Sequence, residues 1–269
     1  MKITAIMWSS YIPLLKEAAE SAGIECVSFS GKQFNTNPES VSLAGPAILS
    51  SDLVLLYRTN DPFWDEIDEI LDEIKGRIPV IAVGSDPSTW ARSTVSPEIT
   101  ATTYRYILYN GRENFTNMLN YLRSVLFGSE VNYSEPEEVS WEGIYHPVLG
   151  ITFDSTEEYM EEYERRLGFT PSIYTGLLFS RTNWLTVKLE VETALVRSLE
   201  ARGIGVIPVF YYSLKDRNLG NMSGAEAVEA FMVREGSPLV EGIIKLSSFF
   251  LESGRGGIEA SQSERGASL

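Results

Sequence analysis

SIYTGLLFSRTNWLTVKLEVETALVRSLEARGIGVIPVFYYSLKD, Ser172–Asp216, reads as one complete strand–helix–strand unit. Ile173, Leu177, Leu178 and Phe179 form a short apolar run that ends in a polar tip, Ser180-Arg181-Thr182-Asn183-Trp184. Val187, Val191, Ala194, Leu195 and Leu199 then recur at helical spacing, which predicts one amphipathic helix stopping at Gly203. A second apolar run, Val206–Tyr212, follows. Two strands joined by a crossover helix lie parallel in one sheet, and ligands of such sheets bind beyond the carboxyl ends of the strands. The polar tip stands at such an end, so it is the first place to look for function.

Working outward, residues 1–128 read as a first α/β domain. Lys2–Trp8, Glu25–Phe29, Asp52–Tyr57 and Pro79–Val83 are strand-like, with a helix at Tyr11–Ala22 ended by Gly23. A second helix is expected with Asp61 as cap and Pro62 in the first turn, because Phe63, Ile67, Ile70, Leu71 and Ile74 fall on one face. One long helical stretch with Ile107, Phe115, Leu119, Leu122 and Leu126 closes the domain. Residues 129–140 are polar, acidic and carry a proline, as a linker would. Residues 141–253 form the second α/β domain, entered by a helix whose Ser155 and Glu158 match a capping box. Gly224–Arg234 is a further helix, and Val240–Leu251 holds the next strand. Residues 254–269 are small, polar and unpatterned, as disordered tails are. The expected fold is therefore α/β, two consecutive doubly wound (Rossmann/flavodoxin-like) parallel-sheet units, the second incomplete.

A net charge of −15 argues against a surface that tracks nucleic-acid phosphates or anionic membranes. The chain has no apolar run near the ~20 residues that span a bilayer and no signal-peptide core, so a cytoplasmic protein is expected. Three Asn-x-Ser/Thr sequons are then chance matches. One Cys, Cys26, excludes an intrachain disulfide. With one His, His146, in the other domain, no closed protein-only metal site is visible. There is no GxxxxGK[ST] run, and Gly254, Gly256 and Gly257 open no helix, so nucleotide binding lacks a motif.

Arg181 and Trp184 after an apolar strand, then LVRSLEARGIGVIPVF, then Ser213-Leu214-Lys215-Asp216, resemble the amino-terminal part of the cobaltochelatase large subunit (CobN), a family related to the magnesium chelatase large subunit. Gly143-Ile144-Tyr145-His146-Pro147, followed by the acidic helix TEEYMEEYERR, supplies a second block in the family's order and approximate spacing. Together the blocks cover about residues 140–250. The resemblance implies a ligase that forms nitrogen–metal bonds, inserting cobalt or magnesium into a tetrapyrrole for cobalamin-type cofactors. It implies ATP on separate ATPase motor subunits and no cofactor bound by this chain. Two features depart from the family. A His often stands where this chain has Asn183, and the family's proteins are much longer than 269 residues. The chain is then expected to be the front end of a truncated, split or shifted large subunit, inactive alone, with the remainder of that subunit among its partners.

Under that resemblance, Arg181 suits bidentate recognition of ring carboxylates, and Trp184 offers a flat face for a macrocycle. Asn183 and Tyr145 complete the substrate-binding candidates. Asn183 cannot take a proton, which weakens a base role for the tip. His146 is the candidate for catalysis and for an axial metal ligand, since neutral imidazole serves either role. Against these stand plainer roles: a hydrogen-bonded structural His, and an Arg181–Trp184 pair pinning the helix start. The acidic helix face is expected to be solvated around a buried stripe of Tyr159, Met160, Tyr163 and Leu167. Two other function classes remain. One is a non-catalytic α/β binding or assembly module that docks partner subunits or a small ligand. The other is a flavodoxin-like domain holding a flavin phosphate at Trp8-Ser9-Ser10.

Overall fold

Strands that are apolar at every position need cover on both faces, and the first sheet shows why. The computed structural model describes residues 1–246 apart from Phe169. In it β1 (Lys2–Met7), β2 (Glu25–Ser30), β3 (Leu53–Tyr57) and β4 (Val80–Val83) form an all-parallel sheet of order β2-β1-β3-β4. All five residues of β3 are buried. One face packs against α1 (Ile12–Ser21), α5 (Pro97–Tyr109) and α6 (Arg112–Phe127) through Leu15, Ile107, Phe115 and Leu119. The other packs against α2 (Gly31–Thr36), α3 (Ala44–Leu49) and α4 (Trp64–Ile74) through Phe34, Ile48, Trp64 and Ile67.

Two local readings change. The single closing helix is two, because Asn110 and Gly111 adopt φ of 64° and 91° between α5 and α6. Asn114 then reaches back to the Asn110 carbonyl and across to the backbone of Glu137. Asp61 does not cap α4; its carboxylate accepts from Thr59 and Asn35 instead. Residues 129–140 contain no helix or strand, and Ser134 and Glu137 are tied to the helices of the first unit. The chain divides into two compact units between Val139 and Ser140.

The second unit is α/β but its sheet is mixed, which corrects the all-parallel expectation. β5 (Glu142–His146), β6 (Ile151–Phe153), β7 (Ile173–Ser180), β8 (Ile204–Tyr211) and β11 (Gly242–Lys245) assemble in the order β11-β7-β8-β5-β6. β11, β7 and β8 are parallel, with Ile173 through Ser180 paired to Ile204 through Tyr211. β5 and β6 form a hairpin that adds an antiparallel edge to β8. Five- and three-residue strands around a Pro147–Gly150 turn leave too short an alternation for a sequence pattern to register.

α7 (Thr156–Leu167) begins where Ser155 accepts from the Glu158 N–H. The crossover after β7 is also broken. α8 (Arg181–Leu185) ends, Val187 takes φ 55°, and α9 (Glu190–Glu200) starts afresh. The break rotates the buried face: Glu192 and Val196 point inward while Val187 and Val191 are exposed. α10 (Gly224–Met232) stops two residues earlier than expected and enters a small hairpin of β9 (Val233–Arg234) and β10 (Ser237–Pro238). The end of the expected Val240–Leu251 strand and the tail 254–269 lie outside the described residues.

Gly84, just past β4, faces a backbone. A Cβ there would stand 2.7 Å from the Arg58 carbonyl oxygen and 2.8 Å from Thr89 Oγ1. Gly84→Ala is expected to lower folding stability by about 2 kcal/mol, the scale of an overpacked core, because a carbonyl cannot rotate away. Chemical denaturation checks it; an unchanged midpoint would mean the close approach is not there.

Candidate functional site

The carboxyl ends of β7 and β8 carry the tip, and its polar side chains turn inward. Ser180 accepts from the Thr182 N–H and starts α8. Arg181, the first helical residue, is 2% exposed. Its Nε donates to the Ser140 carbonyl at 2.7 Å, and its guanidinium carbon lies 4.3 Å above the Trp141 ring. Arg181 is thus spent on the segment leading into β5 rather than presented to solvent. Nearby, burial raises the Glu142 carboxyl above its ordinary range, although the Met222 N–H and the Lys215 and Arg181 charges pull the other way.

Asn183 Nδ2 donates to Glu192 Oε1 at 2.9 Å, giving a buried carboxylate of α9 its partner. Trp184 stacks on Phe210 at 3.9 Å and 13°, so one indole face is covered. Tyr145 stands 6.5 Å from Trp184 and packs with it on Phe179, Leu189 and Phe210. The structure therefore brings Tyr145 and Trp184 together, and places Arg181 and Asn183 in packing roles around them.

His146, on β5, is buried with both ring nitrogens engaged. Nδ1 accepts from the Leu149 N–H at 3.2 Å, which puts the proton on Nε2, 2.9 Å from Glu200 Oε1. The same oxygen accepts from the Tyr163 hydroxyl at 2.9 Å, and that hydroxyl accepts from the Val206 N–H. Burial pushes the Glu200 carboxyl up, but the hydrogen bonds from His146 and Tyr163 outweigh it and hold the carboxyl below its usual value. This arrangement gives His146 a satisfied place inside the unit.

What faces outward is an open cleft of about 350 Å³ beside the tip. Tyr145, Pro147, Val187, Leu189 and Thr193 give it a largely apolar wall, and Arg197 and Glu190 border it. Arg197 is the exposed cation here, one turn before the end of α9. Sequence reasoning passed over Arg197, Glu192 and Glu200, although all three stand in the quoted stretch. Only the phase of the broken helix separates the inward carboxylates from the outward cation. The arrangement can hold an apolar body with an anionic edge.

Among the described residues no three His, Cys, Asp or Glu side chains are grouped to hold a metal ion. Burial, opposed by Lys16, pushes the Cys26 thiol up to about 11, so it is not a thiolate at neutral pH. No helix among the described residues is long and apolar enough to cross a membrane. Trp8 lines a cavity of the first unit.

A sequence model of the CobN/Magnesium Chelatase family matches residues 104–268. The chain belongs to that family. An uncharacterized protein of Methanocaldococcus jannaschii is 32% identical over 251 residues, which is 93% of this chain and 18% of that relative. The chloroplastic magnesium-chelatase subunit ChlH of Oryza sativa is 25% identical over 153 residues, 51% of this chain and 10% of that subunit. The catalytic subunit of cobaltochelatase from Mycobacterium tuberculosis has the same fold over 85% of this chain and 17% of its own, with a TM-score of 0.52 and 14% identity. The chain thus spans less than a fifth of the length of these relatives.

The Glu200 cluster makes a stability prediction. Folding lowers this carboxyl's pKa, so its contribution is complete above the unfolded value of about 4.3. It is lost as pH falls through the lower folded value. Glu200→Ala is expected to cost about 2 kcal/mol at neutral pH, because His146 and Tyr163 lose a buried acceptor. The gap between native and variant should narrow as pH falls through the acid range. Denaturation curves across pH check both; a gap that is constant down to acid would contradict the role given to Glu200.

Proposed function

We propose that this chain is the amino-terminal portion of a cobaltochelatase-like large subunit. It takes part in ATP-dependent insertion of a divalent metal, cobalt or magnesium, into a tetrapyrrole during cobalamin-type cofactor biosynthesis. ATP is hydrolysed on ATPase partner subunits, and metal and ring are substrates. The observation that carries this reading is the family match over residues 104–268, a span that takes in the whole sheet from β5 to β11 and the cleft at its edge.

The residues of the cleft suit one part of that task. A cyclic tetrapyrrole acid is a flat apolar body with carboxylates on its rim. Tyr145, Leu189 and Val187 offer apolar surface to the body, while Arg197 can pair with a rim carboxylate. At about 350 Å³ the cleft takes an edge of such a ring, not the whole. Arg181, Asn183 and Trp184 act from behind, fixing α8 and α9 so that Arg197 and Leu189 hold their places. His146 positions β5 through Glu200. In this reading the chain supplies ring binding, and the remainder of the subunit supplies the base that removes the pyrrole protons.

One observation favours a second reading, a non-catalytic assembly module. Val187, which lines the cleft, and Val191, four residues on, are 70% and 60% exposed, and Val148, next to Pro147 of the cleft, is also open. Exposed apolar groups gathered in one place mark docking surfaces.

Titrating the chain with a porphyrin carboxylic acid while following tryptophan fluorescence separates the two. Saturable quenching is expected, and Arg197→Ala should weaken affinity about tenfold, the value of one charge-assisted contact. Arg197 is exposed, so the variant keeps its fold. Absence of quenching at high micromolar porphyrin would remove the ring-binding reading. Capture of ATPase subunits without porphyrin affinity would put the assembly module in its place.

A further inference from the structure

The first unit holds a cavity that the chelatase reading leaves unused. It opens at the carboxyl ends of β1 and β3. In the order β2-β1-β3-β4 the chain runs from β1 outward to β2, then crosses to β3 on the other side of β1. Such a reversal leaves a crevice between connections that depart to opposite faces, and open α/β sheets bind ligands there. The cavity measures about 360 Å³, within the range of small-molecule sites.

Its walls are aromatic. Tyr57 ends β3, and Phe63 and Trp64 are buried at the start of α4. Trp8, the first residue past β1, stays 36% exposed at the rim, with its ring 5.0 Å from Tyr57 and stacked on Tyr11 at 5.9 Å. A half-open indole braced by two tyrosines presents a rigid flat surface to a flat ligand.

One carboxylate is held in the wall. Asp61 accepts from Asn35 Nδ2 at 2.9 Å and from the Thr59 hydroxyl, whose oxygen in turn accepts from Trp64 Nε1 at 3.0 Å. A carboxylate offers about four acceptor positions, and these bonds fill two. The nearby Arg58 is committed to Asp68 by bonds of 2.6 and 3.0 Å, and among the described residues Asp61 has no ion-pair partner. Asp61 thus keeps acceptors for a ligand that brings N–H donors. Lys32, exposed at the mouth, disfavours a simple cationic amine and suits an anionic group.

We propose that this cavity binds a planar nitrogen heteroaromatic ligand of the nucleobase class. The ring lies against Trp8 and Tyr57, its amino edge donates to Asp61, and Lys32 takes an anionic group carried by the same molecule. The site is independent of the cleft beside α9 and of the chelatase reading.

Calorimetric titration of the chain with adenosine and with adenosine monophosphate tests it, using choline as the cationic control. Adenosine should bind with sub-millimolar affinity and the monophosphate several-fold tighter. Asp61→Asn, which keeps size and shape, should weaken both about tenfold or more, as expected for a hydrogen bond to a charged group. Lys32→Ala should erase only the advantage of the phosphate. Trp8→Ala, a rim change that spares the core, should weaken both ligands while the melting curve stays native. The proposal is overturned by no binding at millimolar ligand, by affinities untouched in both Asp61→Asn and Trp8→Ala, or by preference for choline.

Discussion

Glu200 sits where the elements of the second unit meet, and the geometry of that unit follows from how its charge is met. It ends α9, receives His146 from β5 and Tyr163 from α7, and Tyr163 in turn receives the Val206 N–H of β8. Tyr159 adds a second hydroxyl to the same strand, donating to the Val206 carbonyl. Burying a carboxylate and an imidazole costs several kcal/mol when either is left unmatched. A network in which each member has its partner removes that cost only in one arrangement of the elements. The antiparallel edge, the acidic helix and the crossover helix therefore converge on one oxygen atom, which adds to the backbone pairing of β5 with β8. Arg197 lies on that crossover helix and Leu189 immediately precedes it, so the cleft inherits its shape from the cluster.

The tip shows the same division between holding and presenting. Arg181 binds the Ser140 carbonyl and Trp141, and Asn183 donates to the buried Glu192, so both polar side chains of the tip work inward. The cleft beside the tip is lined by Tyr145, Pro147, Val187 and Leu189 together with Thr193, Glu190 and Arg197. The first unit is parallel throughout and has its cavity at the matching place, the carboxyl ends of β1 and β3, but built from aromatic side chains and one carboxylate. Membership of the CobN/magnesium chelatase family is the observation on which the proposed ring-binding role of the cleft rests.

Much of this was legible beforehand. Strands buried on both faces appear as apolar runs: β1, β3 and β4 lie within the runs read from the sequence, while β7 runs on into Ser180 of the tip and β8 starts two residues before Val206. The resemblance carried by Arg181, Trp184 and the Gly143–Pro147 block agrees with the family match. Two kinds of feature escaped. Short breaks, two residues at Asn110-Gly111 and four at 186–189 around Val187, leave helical periodicity readable on each side, so one helix is read where there are two. The break at Val187 also rotated the face, which exposed Val191 and buried Glu192. Long-range pairs are the second kind. That Arg181 would meet Ser140 and Trp141, or that Glu200 would gather His146 and Tyr163, depends on residues 37 to 54 positions apart, beyond any local pattern. The β5–β6 hairpin escaped for both reasons, being short and paired to a distant strand.

Hydrogen–deuterium exchange of the chain with and without a porphyrin carboxylic acid tests the central claim most directly. Ring binding at the cleft predicts slowed exchange in two stretches, residues 145–150 and 186–197, where Tyr145, Pro147, Leu189 and Arg197 border the cleft. Protection confined to other segments, or no protection at saturating porphyrin, would contradict the claim that this cleft receives the edge of a tetrapyrrole.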